Sequence, residues 1–328
     1  MSKQIKIFIQ TEFAEGPWGG GNQFLKALKN EFSKRNCYTE NSKEADVILF
    51  NSHHYLDEII RLRRKFKDKL FIHRVDGPMA YRGKNGEDLD KNVFKVNFLI
   101  ADGTVFQSEW SRRENYRKGM KKNNFEAVIH NASDPEIFFP SPKKEPAGDK
   151  IKLIATSWSN NPDKGFDIYH YLDKKLNFEK YDMTFAGLAD RQFNNIRMIP
   201  PISSENLAEQ LRQDDIFILA SKLEACSNSL VEALTCGLPA VVRNTSSNPE
   251  ILGDRGQIFH GKEDIIMKIK AVADRLDDYR SMQAIAGIEV IAGEYCQFIE
   301  EIVLGIRNQV GKFKKLTFIE SLRLRICI

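Results

Sequence analysis

Short apolar runs alternate with longer segments of helical periodicity along most of the chain. This alternation predicts strand–helix units that build parallel sheets. In the first half, the predicted strands are residues 5–9, 46–50, 70–73, 103–107 and 126–130, and the predicted helices include residues 21–32, 55–66 and 109–119. After residue 150 the pattern restarts, with predicted strands at residues 152–157, 181–187, 215–221, 239–242 and 257–260.

A polar, proline-rich segment separates the two halves. Residues 134–150 contain four prolines and a cluster of lysines, a composition typical of a linker. We therefore predict a first Rossmann-like domain at residues 1–140, a linker at 141–150, a second Rossmann-like domain at 151–300 and a basic amphipathic tail at 301–328. Two doubly wound α/β domains that face each other across a cleft would bind ligands at the carboxyl ends of their strands.

The bulk composition narrows the class of protein. The 328 residues, 42% hydrophobic and 29% charged, are typical of a globular chain long enough for two domains. A formal net charge of +4 is too small to indicate a nucleic-acid partner. The five cysteines are scattered without a Cys-x-x-Cys pair, so neither a disulfide framework nor a zinc site is predicted. The sequence shows no secretory segment and no apolar stretch of spanning length, and we expect a cytoplasmic protein.

The stretch SKLEACSNSLVEALTCGLPAVV, residues 221–242, carries the most informative chemistry. A predicted strand ends at Ser221, Glu224 lies in the following loop, and a helix is expected to begin near residues 227–229. A helix N-terminus offers unpaired N–H groups and the positive end of the helix dipole, which suit a diphosphate. Glu232 would lie inside this helix, near the bound group. The alternative is a capping box of Ser229 and Glu232, in which the glutamate only satisfies the backbone.

A family resemblance rests on the same residues. Glu224, seven further residues and Glu232, followed by ALTCGLPAVV and SSNPEIL, resemble the donor-site signature of the family-four retaining glycosyltransferases of GT-B fold. Other segments are similar to landmarks of that family, namely IATSWSNNPDKGFDIYHYLD (154–173), VIHNASDPEIFFP (128–140), TEFAEGPWGGGNQF (11–24) and FQSEWSRRE (106–114).

The resemblance implies roles in donor binding at individual positions. It implies that Glu224 contacts the hydroxyls of the donor sugar and faces the reacting centre, and that Glu232 accepts from the ribose hydroxyls. The groups implied to bind the diphosphate are the Lys164 ammonium and the backbone N–H groups of Asn228, Ser229 and Leu230.

The chain departs from the family pattern at one position near the diphosphate. Many members of the family carry an arginine about five residues before the lysine, where this chain has Ser159. Ser159 and Asn160 can hydrogen-bond a phosphate but bring no charge, so either another cation replaces the arginine or the phosphate is stabilised more weakly.

Gly20 belongs to a Gly-rich loop in which a tight turn lets donor or acceptor pass close to the backbone. The glycine spacing is not that of a dinucleotide fingerprint, which argues against an NAD cofactor.

Polar side chains in the first half are candidates for acceptor contacts. His73 and Asp76 leave a predicted strand end, where they could orient the acceptor or the transferred sugar. The alternative is a buried histidine and a turn aspartate. His53 and His54 follow another strand end, and Trp18 could stack either on a sugar or in the core.

Asp88 and Asp90 form an Asp-x-Asp triplet like that of metal-using glycosyltransferases with the other major fold. We interpret this triplet as a chance occurrence in the polar loop GKNGEDLDKN, and we predict no metal site.

The predicted function is transfer of a hexosyl unit from a nucleotide diphosphate sugar to a glycan or glycolipid, with retention at the anomeric carbon and without metal or cofactor. The alternatives are a nucleotide-sugar epimerase on the same fold and a catalytically silent module that binds a sugar or a partner. The tail alternates basic and apolar residues. Either it lies on the anionic cytoplasmic face of a membrane, which would favour a lipid-linked acceptor, or it packs back on the first domain.

Overall fold

The computed structural model describes residues 4–14, 20–83, 85–140, 150–282, 285–308, 313–316, 320 and 324. Every predicted strand is present, with its ends displaced by at most two residues. The strands are β1 (Ile7–Gln10), β2 (Val47–Asn51), β3 (Leu70–Val75), β4 (Gly103–Phe106), β5 (Glu126–Val128), β6 (Ile151–Ser157), β7 (Tyr181–Gly187), β8 (Arg197–Ile199), β9 (Ile216–Leu219), β10 (Ala240–Arg243) and β11 (Gly256–Phe259).

The helices lie between these strands and after the last one. They are α1 (Gly20–Lys34), α2 (Leu56–Lys65), α3 (Gly86–Ile100), α4 (Glu109–Arg117), α5 (Phe166–Lys175), α6 (Ser204–Leu211), α7 (Asn228–Thr235), α8 (Asn248–Leu252), α9 (Ile265–Ala273), α10 (Leu276–Arg280) and α11 (Ile288–Arg307). Short 3-10 turns occupy Met79–Arg82 and Pro162–Lys164. The predicted linker at 141–150, apart from Lys150, and Trp18 lie outside the described residues.

The first sheet has five parallel strands in the order β1-β2-β3-β4-β5. Ile7 pairs with Val47 of β2 and also forms a parallel bridge to Tyr38, so the chain adds pairings on both sides of β1. Strands β2 and β3 are buried along their whole length. Near-continuous burial is expected of parallel strands that are covered on both faces.

The second sheet has six parallel strands in the order β11-β10-β9-β6-β7-β8. The chain adds β7 and β8 on one side of β6 and then crosses to add β9, β10 and β11 on the other. This is the predicted doubly wound topology. The direction in which successive strands are added to the sheet reverses between β6 and β9. Alternate side chains of the sheet enter two separate apolar clusters, one containing Phe185 and the other Leu230. The sequence does not predict β8, because this three-residue edge strand is only partly buried.

The chain divides into two compact units at positions other than those predicted from the linker. One unit comprises Met1–Phe13, Leu25–His130 and Glu289–Ile328, and the other comprises Ala14–Phe24 and Asn131–Ile288. Residues 131–140 join the second unit because Phe138 is buried in its core and the Arg212 guanidinium donates to the Ile137 carbonyl at 3.1 Å. These contacts lie within the first part of the proline-rich segment, and its composition gives no indication of them.

Helix α11 packs on the first unit, although the prediction assigns residues up to 300 to the second domain. Tyr295 meets Phe32 edge-on, with ring centroids 6.4 Å apart. Gly103 lies so close to α11 that a Cβ atom there would be 2.5 Å from the Cδ1 atom of Ile302. The chain therefore returns to its first unit after completing the second.

The described part of the tail also contacts the first unit. The Lys314 N–H donates to Asp102 Oδ1 at 2.8 Å, and the buried Arg63 guanidinium donates to Asp102 Oδ1 at 3.1 Å and to the Lys314 carbonyl. Leu324 is fully buried in an apolar cluster of that unit, with Leu316 packed against it. These contacts support the alternative in which the tail packs back. No helix within the described residues is long and apolar enough to cross a membrane.

Asp88 and Asp90 lie in helix α3, and the prediction of a polar loop at this position is wrong. Asp88 is exposed and pairs with Lys91 at 2.7 Å. Asp90 is buried and accepts from the backbone N–H groups of Met79 and Ala80, each at 2.8 Å. Asp90 thus holds the 3-10 turn that precedes α3, and its burial raises its pKa.

Candidate functional site

The candidate site lies at the carboxyl ends of β6 and β9, where the second sheet reverses direction. These two strands are neighbours, with Leu153 paired to Ile216 and Ile154 to Phe217. In open α/β sheets, ligands bind at such a reversal, beyond the carboxyl ends of the strands. Lys164 follows β6 and Glu224 follows β9, so the topology brings together two residues that are 60 positions apart.

Lys164 and Glu224 form an ion pair at this edge, with Nζ and Oε1 2.7 Å apart. Their side chains are 31% and 13% exposed, so the pair is sheltered but remains open to a ligand. The local backbone fixes Lys164, because the Asn161 side chain caps its 3-10 turn and Gly165 ends that turn with a left-handed φ of 80°. A Cβ atom on Gly165 would lie 2.0 Å from the Ala220 carbonyl oxygen, so only glycine permits this approach to the end of β9.

Helix α7 begins beside this pair, as predicted, and its N-cap is Ser227. The Ser227 hydroxyl accepts from the Leu230 N–H at 3.4 Å, so that donor is already used within the cap. The N–H groups of Asn228 and Ser229 lie in the first turn, where helix geometry supplies no acceptor. With Ser227 as N-cap, Glu232 is five residues into the helix, and a capping box of Ser229 and Glu232 is excluded because it needs the glutamate at the third position.

Glu232 is buried inside the second unit. Its residue is only 7% exposed, and desolvation raises the pKa of its carboxyl group to about 8. In the part of the chain that the structure describes, no protein donor contacts this carboxyl group, and desolvation is the one cause of its shift. A buried carboxyl group without a protein partner can accept hydrogen bonds from a ligand that brings its own donors.

Asn131 braces the start of α7, a role that the sequence analysis missed. Its side-chain amide donates to Asn228 Oδ1 at 3.0 Å and to the Cys226 carbonyl at 3.3 Å, and its N–H donates to the Cys226 thiol at 3.4 Å. Asn131 directly follows His130, where the chain passes from the first unit to the second. The segment VIHNASDPEIFFP is part of the family resemblance, but its spacing gives no indication that Asn131 meets a helix 97 residues later.

The loop after β6 contains the other predicted phosphate contacts. The Ser159 hydroxyl accepts from the Asn161 N–H at 3.1 Å, and Asn160 is exposed. No arginine stands here, but two cations meet at Asp167 in the first turn of α5. The Arg243 guanidinium contacts both carboxylate oxygens at 3.2 Å, and Lys222 lies at 3.6 Å.

Of the two predicted acceptor residues, His73 and Asp76, only Asp76 lies at a strand end. Strand β3 continues to Val75, so His73 lies within the sheet between Phe50 and Thr104 and not at its end. It is fully buried, and desolvation lowers its pKa to about 3. Its Nε2 contacts the Ser52 carbonyl at 2.9 Å, and its Nδ1 lies 3.2 Å from the Asn97 amide. This geometry fits the alternative of a buried structural histidine and leaves no ring nitrogen for acceptor chemistry.

Asp76 does lie beyond the carboxyl end of β3, and its side chain is partly exposed. It lies 3.6 Å from the Arg74 guanidinium and accepts from the Gln107 amide. The rings of His53 and His54, after β2, lie with centroids 4.2 Å apart and are tilted by 32°, and burial lowers the pKa of His53. Gly20 is the first residue of α1 and belongs to a short segment assigned to the second unit.

Comparison with known proteins relates part of the chain to a family. Residues 183–286, which include Glu224 and Glu232, match the family model described as glycosyl transferases group 1. This match covers less than half of the 328-residue chain. Among curated proteins, uncharacterized protein 356 of Sulfolobus islandicus rod-shaped virus 1 is 25% identical over 63% of this chain and 69% of its own length. The phosphatidylinositol N-acetylglucosaminyltransferase GPI3 subunit of Saccharomyces cerevisiae is 25% identical over 47% of this chain, and the match spans only 38% of that protein.

Solved structures share the fold of this chain. Sucrose-phosphate synthase from Thermosynechococcus elongatus superposes with a TM-score of 0.72 at 12% identity, over 92% of this chain and 100% of that one. HepE of Anabaena, solved in complex with UDP and glucose, gives a TM-score of 0.68 at 12% identity over 93% and 100% of the two chains. The predicted GT-B fold and the predicted glycosyltransferase class are confirmed at this level. Retention, metal independence, the donor and the acceptor stay predictions.

Proposed function

We propose that this chain is a retaining glycosyltransferase that moves a hexosyl unit from a nucleotide diphosphate sugar to a glycan or lipid-linked acceptor, without a metal ion. One arrangement carries the proposal. Lys164 is paired with Glu224 at the point where the strand order of the second sheet reverses, and Glu232 is buried in the helix that starts beside them, where none of the described residues donates to its carboxyl group.

In this proposal the nucleoside end of the donor reaches Glu232. A ribose presents two adjacent hydroxyl donors, which a carboxylate can accept together. Such bonds favour the ionised carboxylate and would lower the raised pKa of Glu232, since hydrogen bonding to the charged form opposes the effect of desolvation. Binding the nucleoside and releasing a proton from Glu232 are then one coupled event.

The diphosphate lies against the start of α7. The N–H groups of Asn228 and Ser229 and the positive end of the helix dipole suit an anion. Lys164 adds a full charge, which stabilises the leaving diphosphate as the sugar acquires oxocarbenium character. Lys222 and Arg243 are the further cations at this edge, and they are candidates to supply the positive charge that Ser159 does not bring.

Glu224 contacts the sugar at the other end of the bond between the anomeric carbon and the diphosphate. In the unliganded pair it neutralises Lys164, and a bound donor would place its phosphates near the ammonium and its sugar hydroxyls near the carboxylate. The two residues would then contact the donor on opposite sides of the bond that breaks. The acceptor hydroxyl attacks from the face that the diphosphate leaves and loses its proton to a phosphate oxygen, so the anomeric configuration is retained.

The comparisons support a nucleotide-sugar donor of this kind. HepE was solved with UDP and glucose, and the GPI3 subunit is named as an N-acetylglucosaminyltransferase that acts on phosphatidylinositol. A UDP-hexose donor and a lipid-linked acceptor are therefore the first pair to test. In the first unit, Asp76 is the retained candidate for orienting the acceptor.

A thermal-shift screen against UDP, GDP, ADP, CMP, dTDP and NAD, with and without chelator, tests the donor site, because a ligand of the folded state raises its stability. We expect selective stabilisation by one nucleoside diphosphate, unchanged by chelator. Lys164→Met should weaken that stabilisation. The matched control Lys174→Met removes the same charge from an exposed position of α5 and should leave it intact.

The outcomes separate the alternatives. A response that requires a divalent metal would contradict metal independence, and a response to NAD alone would contradict the donor assignment. Binding of a nucleoside diphosphate without transfer from any nucleotide sugar would favour the silent binding module. Equal responses of the Lys164→Met and Lys174→Met variants would contradict the role of Lys164.

A further inference from the structure

The loop that carries Glu224 is held by a segment that overlaps the donor-site signature but whose residues have no individual role implied by the resemblance. This segment, residues 245–248, joins β10 to α8. At the start of the loop, the Thr245 hydroxyl and the Asn248 amide both donate to the Ser221 carbonyl, at 3.1 Å and 2.9 Å. Asn248 is fully buried, so its bond is shielded from water.

Two serines of the same segment bind the backbone of Glu224 itself. The Glu224 N–H donates to the Ser246 hydroxyl at 3.0 Å. The Glu224 carbonyl accepts from the Ser247 hydroxyl at 2.9 Å and from the Ser247 N–H at 3.3 Å. Both peptide groups that flank the Glu224 Cα atom are therefore fixed, which sets the direction in which its side chain leaves the loop.

Ser246 adopts a left-handed conformation, with φ at 50°. This region costs a non-glycine residue on the order of 1 kcal/mol or more, and glycine would adopt it without that cost. Strained residues persist where the surroundings hold them in place. A serine in this conformation therefore indicates that its hydroxyl makes a contact that glycine could not make. The use that the structure offers is the bond to the Glu224 N–H.

We propose that Ser246 and Ser247 are positioning residues that hold Glu224 in the orientation required to contact the donor sugar. The proposal rests on the proposed glycosyl transfer and adds two residues to it. Neither serine needs to touch the donor. Each acts through the backbone of Glu224, whereas Lys164 contacts the carboxylate of its side chain.

The test compares Ser246→Ala, Ser246→Gly and Ser247→Ala in the full chain, with transfer and hydrolysis of the nucleotide sugar as the assays. We expect kcat to fall about ten-fold in each variant, as for the loss of one well-formed hydrogen bond in the transition state. The dissociation constant for the nucleoside diphosphate should change less than about two-fold, because α7 and Glu232 are untouched.

Two comparisons exclude a merely structural effect. Ser246→Gly relieves the left-handed strain and should melt at a higher temperature than Ser246→Ala, yet both should lose the same activity because both lack the hydroxyl. The control Ser203→Ala removes a serine that caps α6 by accepting from the Asn206 N–H, and it should lower the melting temperature while leaving kcat unchanged.

Hydrogen exchange of the backbone amides tests the positioning role without an activity assay. The Glu224 N–H should exchange faster in Ser246→Ala than in the unmodified chain, whereas the Leu230 N–H should not change. Full kcat in Ser246→Ala and Ser247→Ala, or unaltered exchange of Glu224, would overturn the positioning role. If instead the unmodified chain transfers no sugar from any nucleotide sugar, the proposed function itself fails, and the two failures are distinguishable.

Discussion

The buried Glu232 makes the stability of the second unit depend on pH in a direction unusual for a glutamate. Desolvation raises its pKa from 4.5 to about 8. The folded unit then keeps a proton that the unfolded chain loses, so this contribution to stability is fully present below about pH 4.5 and is lost as the pH rises towards 8. The difference corresponds to about 5 kcal/mol in total, of which about 2.5 kcal/mol is lost between pH 5 and pH 7.

The variant Glu232→Gln tests this magnitude, because glutamine keeps the shape of the side chain and cannot ionise. Urea unfolding at pH 5, 6 and 7 gives the free energy of unfolding, and Trp158 reports on the second unit. From pH 5 to pH 7 the glutamine variant should gain about 2.5 kcal/mol relative to the unmodified chain. The control Glu209→Gln changes an exposed glutamate of α6 and should show no such trend. A constant difference between Glu232→Gln and the unmodified chain would refute the reasoning.

Three further predictions follow from the same geometry. Glu224→Gln should lower kcat about a hundred-fold or more with little change in nucleoside diphosphate affinity, whereas Glu232→Ala should mainly weaken that affinity; steady-state kinetics and calorimetry separate the two. Binding of the nucleoside diphosphate at pH 7 should release close to one proton, measured by calorimetry in buffers of different ionisation enthalpy, and Glu232→Gln should release none. Burial lowers the pKa of His73 to about 3, so the first unit should lose about 2 kcal/mol as the pH falls from 7 to 5, and His73→Gln should abolish this loss in unfolding experiments.

Much of the fold and the site could be predicted from sequence because their signals are local. Apolar runs bounded by polar segments indicated each strand other than β8, and the carboxyl ends of parallel strands lie at one edge of a sheet. Lys164 and Glu224 follow two such ends, and the structure pairs them. Ser227 to Ser229 marked the start of α7, although only the observed N-cap decides which serine caps it.

The rest depends on tertiary contacts that a local pattern does not contain. His73 seemed to end a strand, but two further residues of β3 bury it inside the sheet. Helix α3 begins with the polar residues GEDLDKN, so its apolar face becomes visible only later, at Val93, Val96 and Ile100. Helix α11 returns to the first unit through Gly103 and Tyr295, contacts that join distant parts of the chain.

The burial of Glu232 links the stability of the second unit to the choice of ligand. A leucine or alanine at this buried position of α7 would avoid the cost of desolvating a carboxyl group. Because burial raises the pKa of Glu232 to about 8, we expect this residue to lower the stability of the second unit near pH 7. Two hydroxyl donors from a ligand could offset that cost, because hydrogen bonds to a charged group contribute roughly 1.5–3 kcal/mol each. A ligand that lacks them would leave the carboxyl group buried and unpaired, so Glu232 would discriminate between ligands with and without a ribose diol if the proposed donor site is correct.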